Sequence, residues 1–93
     1  MLTRPAALLQ LESTTKELAA AHRELAQVLA AEKQGRVEAF MASDEGTVSG
    51  RDRLADINVI PLTIDAIKLR GEIAALEAER EYLIIIIINH GGE

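Results

Sequence analysis

His22 and His90 are the side chains best suited to proton transfer or metal ligation, and Glu77, Glu79 and Glu81 form the densest acidic run. Neither histidine has a cysteine nearby. Neither stands in a His-x-x-x-His or Glu-x-x-His spacing, which would aim two ligands from one helix face at a metal. Asp44-Glu45-Gly46 has some ingredients of a calcium loop but lacks its alternating oxygen ligands and terminal Glu. No glycine-rich phosphate cradle and no nucleophile elbow occurs. The expectation is a non-enzyme with no catalytic residue, cofactor or metal. His22 then reads as a structural imidazole on a packed helix seam. His90 reads as a helix-end residue whose positive charge suits the backbone dipole, and the three glutamates as a solvated face.

Tyr82 to His90 read YLIIIIINH, with five consecutive isoleucines at 84–88. Successive helical residues turn by about 100°, so such a run covers every face, while one neighbouring helix hides a single stripe. As a strand it would be an apolar, β-branched segment prone to pair with copies of itself. Leu83 to Ile88 would span only about 9 Å as a helix, against the ~30 Å of a bilayer core, so no membrane span is expected. The run could pack under Leu2, Ala6 and Ala7 of the same chain. Because little apolar surface is available there, the reading preferred here is cover by a second chain: a homo-oligomer, or docking onto another protein. The expected association surface is Leu69, Ile73, Leu76, Leu83, Ile84, Ile85, Ile87 and Ile88.

The elements that carry these residues read as helices. Thr3 can cap the first, with Pro5 in its first turn, where a missing amide donor costs little. Leu8, Leu11, Thr15, Leu18, His22, Leu25 and Leu29 alternate in steps of three and four, a heptad seam. Gly35 weakens this helix without ending it. Ser43 to Val48 reads as a turn, Gly46 as a left-handed helix stop and Thr47 as the next cap. A second helix runs over 48–59, and Pro61 then kinks or breaks the arm by disfavouring helix at Ile60. Beyond it Leu62, Leu69, Leu76 and Leu83 recur every seven residues, with Ala66, Ile73, Arg80 and Ile87 four after each. The fold class is therefore all-α, an antiparallel helical hairpin or coiled coil forming one domain over 1–93. Arm one covers about 4–43, the turn 44–47 and arm two 48–90. Folding there sets residue i near 91 − i, hence Leu18 by Ile73 and Leu25 by Ala66.

Composition agrees with an aliphatic helical core: 93 residues, 2% aromatic, no cysteine. A net charge of −5 argues against a general polyanion binder. Met1 to Pro5 lack the apolar stretch of a secretion signal, so a cytoplasmic location is expected.

Two resemblances bear on function. The segment from Arg51 to Glu72 resembles a helix-turn-helix, with Ala55 as the small residue of the first helix and Thr63-Ile64 opening the recognition helix. It implies a small DNA-binding regulator in which Thr63, Lys68 and Arg70 reach DNA; Val59 stands where that family has a turn glycine. Ala39-Phe40-Met41-Ala42, then Gly46-Thr47-Val48, Arg51 and Ala55, is similar to small helical-hairpin proteins of temperate phages. That resemblance covers the middle third of the chain and implies an accessory role in DNA transactions. The combined expectation is a non-catalytic interaction or accessory protein working through its carboxyl-terminal apolar helix, with the DNA-binding regulator as the alternative.

Overall fold

The computed structural model describes residues 2–89. Three helices follow one another: α1 (Arg4–Ala42), α2 (Val48–Asn58) and α3 (Ile60–Asn89). No strand occurs among the described residues. The isoleucine run is thus helical. The roles expected of His90 as a helix-end cation and Gly91 as a stop lie outside the described residues.

Each helix start has a local cause. The Ala6 amide donates to Thr3 Oγ1 at 3.3 Å, and the Ala7 amide to the Thr3 carbonyl at 2.8 Å, so Thr3 satisfies donors that the first turn leaves open. Thr47 caps α2 from an extended backbone (φ −113°, ψ 148°), its Oγ1 accepting the Gly50 amide at 3.0 Å. Gly46 is not the left-handed stop expected of it: no described glycine has positive φ. α1 ends instead in a side-chain turn, where the Glu45 amide donates to Ser43 Oγ at 3.1 Å.

The interruption expected at Pro61 falls two residues earlier. Val59 alone is non-helical (φ −103°, ψ 8°) and separates α2 from α3. Ile60 is already helical, and Pro61 occupies the first turn of α3, where no intrahelical donor is needed.

The chain sorts into two compact units, and α1 packs against α3. One unit joins α1 up to Arg23 with α3 from Arg70 onward. Its buried residues are Ala7, Thr14, Leu18 and Ala21 from α1 with Ile73 and Leu83 from α3. The other is Glu24–Leu69, built on buried Ala55, Val59, Ala66 and Leu69 with half-buried Leu25, Val28, Glu32 and Gly35 of α1. Each fully buried leucine or isoleucine stabilises by roughly 1.5–3 kcal/mol, an upper figure because the unfolded chain already hides part of it.

Burial on α3 follows the expected leucine seam: Ala66, Leu69, Ile73 and Leu83 are buried and Leu62, Leu76 and Ile87 half-buried, with Arg80 exposed. The α1 seam is partly displaced. Leu11, Leu18, Leu25 and Leu29 are buried or half-buried as expected, but Ala7, Thr14 and Ala21 lie inward where Leu8, Thr15 and His22 were expected. Leu8 and His22 are exposed. Small side chains on the inner row let the helices approach closely, so the larger residue one step on is turned outward.

The 91 − i register also shifts. Arg36 meets Asp56, Gly35 lies against Val59 and Glu32 meets Thr63, where that rule gives 55, 56 and 59; in the other unit His22 meets Glu77 rather than 69. Five residues separate α1 from α2, and Val59 separates α2 from α3.

Candidate interaction surface

Within the helical run, rotation of about 100° per residue divides the isoleucines between two sides. Leu83 is 1% exposed, and Ile86 and Ile87 are half-buried, three and four residues on. Ile84, Ile85 and Ile88 turn outward at 38%, 50% and 69% exposure. Tyr82 of α3 and Leu8 and Leu9 of α1, in the same unit, are exposed as well. Large aliphatic side chains left in water on a helix end carry an unrealised burial energy that another surface can recover.

The surface expected from the sequence therefore contracts. Leu69, Ile73 and Leu83 are buried in the chain's own core and offer nothing to a partner, and Leu76 and Ile87 are half-covered. Ile84, Ile85 and Ile88 remain available. Of the leucine heptad, Leu69 and Leu83 are buried and Leu62 and Leu76 half-buried, so these residues serve the fold.

The residues expected to reach DNA are differently disposed. Thr63 is half-buried, and its hydroxyl donates to Glu32 Oε2 at 2.8 Å, within a cluster in which Arg36 lies 3.7 Å from Glu32 and its Nε donates to Asp56 at 2.8 Å. That hydroxyl is occupied by an internal carboxylate. Lys68 and Arg70 are exposed, on a surface they share with Asp65 and Glu72. A single non-helical residue separates α2 from α3, shorter than the three to four residues of a helix-turn-helix turn.

The other candidate side chains sit apart. His22 is exposed rather than on the seam, its Nε2 3.9 Å from Glu77 Oε1, and Glu77 has the solvated placement expected of it. No group of three or more His, Asp or Glu side chains suited to a metal occurs among the described residues. An open groove of about 620 Å³ at the end of α1 is floored by Ala39, Ala42, Leu54 and Ile57 and edged by Asp44 and Glu45.

The residues behind the phage-protein resemblance build the α1–α2 turn. The Arg51 guanidinium stands 5.9 Å over the Phe40 ring while its Nε donates to the Glu45 carbonyl at 2.7 Å. Glu45 folds across Gly50, where any Cβ would collide with its side chain. Thr47 caps, and Ala55 is 1% exposed.

One feature escaped the sequence reading. Ile57, Ile60, Ile64 and Ile67 of the Glu24–Leu69 unit are all exposed, at 54%, 48%, 46% and 61%. Ile57 lies at the end of α2, before the non-helical Val59, and the four-three spacing of Ile60, Ile64 and Ile67 was masked by the stronger leucine seam of α3. No described helix is long and apolar enough to cross a membrane. Comparison with protein families, with curated proteins and with solved structures finds no match.

Proposed function

We propose that this chain is a non-catalytic helical interaction protein, an antiparallel hairpin that associates with a second copy of itself through the outward face of α3 near its carboxyl end. The observation that carries the reading is the exposure of Ile84, Ile85 and Ile88 on the helix whose opposite side already forms the core. Antiparallel order is supported inside the Glu24–Leu69 unit. As the α1 partner falls from Arg36 through Gly35 to Glu32, its counterpart rises from Asp56 through Val59 to Thr63. An accessory role in DNA transactions rests on the phage-protein resemblance, whose residues here hold a turn.

Size-exclusion chromatography with light scattering at micromolar concentration tests this. The wild-type chain is expected above its monomer mass of 10.1 kDa. Replacing Ile85 and Ile88 by glutamate is expected to return it to that mass with helicity retained, because both side chains lie outside the core. A wild-type monomer contradicts the proposal, as does a double variant with unchanged mass.

A further inference from the structure

We infer that the surface a second copy covers is shared by α1 and α3, with Leu8 as its α1 member, and that the two copies meet end for end. This inference rests on the self-association proposed above and adds the composition and direction of the contact. All of it lies within the unit that joins α1 up to Arg23 with α3 from Arg70. His22 Nε2 and Glu77 Oε1, 3.9 Å apart, mark one side on which the two helices meet. Helical residues turn by about 100°, so side chains near a whole number of turns from that contact share its side. On α1, Arg4 stands about five turns before His22, and Leu8 about four turns before it, within about 40°. On α3, Ile84 and Ile88 stand about two and three turns after Glu77, each within about 20°, and Glu81 about one turn after it. Leu9 lies about 140° from His22, on the far side of α1.

Ala7 bears on how the two rows are aligned. It is 0% exposed, about 22 Å along α1 from His22. Within the unit, described α3 runs about 10 Å before Glu77 and about 18 Å beyond it, so cover of Ala7 by α3 requires antiparallel order. Measured from the His22–Glu77 contact, Glu81 then lies at about 6 Å, Ile84 at about 10 Å, Ile88 at about 16 Å, Leu8 at about 21 Å and Arg4 at about 27 Å. All five are exposed. The face is therefore acidic at one end, aliphatic in the middle and basic at the other, with Arg80 turned about 60° away toward the α1-facing seam. Such a face complements a copy of itself turned end for end. With the twofold axis near Ile88, Arg4 comes level with the partner's Glu81 and Leu8 level with the partner's Ile84. A parallel pair would gather the carboxylates of Glu77 and Glu81 from both copies at one end. Neither Arg4 nor Glu81 makes an ion pair among the described residues.

Two neighbouring leucines test the composition of the face. Leu8 is 47% and Leu9 69% exposed, so exposure alone would make Leu9 the more sensitive site. The shared face reverses that order. Leu8→Glu is expected to weaken association by at least on the order of tenfold, because it sets a charge among apolar side chains, and Leu9→Glu to leave it unchanged. Charge exchange tests the direction. Arg4→Glu and Glu81→Arg are each expected to weaken association by on the order of tenfold at low salt, since each creates two like-charge approaches. An equimolar mixture of the two variants should recover it, because both approaches are again between opposite charges. Sedimentation velocity reads the association, and circular dichroism checks that these exposed substitutions leave the helices formed. If the wild type associates but L8E is without effect, or L9E weakens it equally, the shared face is overturned while self-association stands. Charge variants without effect, or weakening without recovery in the mixture, overturn the end-for-end direction. A monomeric wild type overturns self-association itself.

Discussion

Leu83 and Ile88 have similar side-chain volumes, five residues apart on one helix, yet the first is 1% and the second 69% exposed. Their substitution should therefore separate two kinds of energy. Leu83→Ala removes buried methyl groups and leaves a cavity, and urea denaturation at fixed protein concentration is expected to show a loss of about 2–5 kcal/mol. Ile88→Ala should change association more than the fold. The two helix glycines make a similar contrast. A Cβ at Gly35 would stand 3.2 Å from Val59 Cγ1, whereas one at Gly71 meets nothing within 4 Å. Gly35→Val is expected to destabilise by roughly 1–3 kcal/mol through overpacking, while Gly71→Ala gains about 0.5–1 kcal/mol of helix propensity. Thermal melts of both variants check the pair, and equal effects at the two sites would contradict the packing assigned to Gly35.

Between elements, the α1–α2 turn depends on side chains rather than on glycine geometry. Thr47→Ala removes the acceptor of the Gly50 amide and is expected to cost about 0.5–2 kcal/mol, seen as earlier hydrogen exchange in the first turn of α2. Retained protection there would mean that the Arg51 and Glu45 contacts hold the turn unaided. Much of this level was legible in advance: helix class, the caps at Thr3 and Thr47, and the α3 leucine seam all come from local chemistry and period. Other parts were not. Reading apolar bulk on α1 favoured Leu8, although close helix approach selects Ala7, Thr14 and Ala21. Position-by-position reading also placed the break at Pro61, whereas a proline fits the first turn of a helix and Val59 yields instead. Burial could not be read from a run of isoleucines, because only the packed neighbour determines which of them turn inward.

For the molecule as a whole, α1 packs against α3, while Ile84, Ile85 and Ile88 face outward near the end of that helix. A chain of 93 residues has a small core, so leaving a second aliphatic surface in water is costly, and recovering it through another copy links folding to concentration. Sedimentation equilibrium of the unmodified chain, from tens of nanomolar to tens of micromolar, is the most direct test. The account predicts a mass that rises with concentration from 10.1 kDa to at least twice that value. A mass of 10.1 kDa at every concentration would show that the outer face of α3 stays uncovered, and would contradict it.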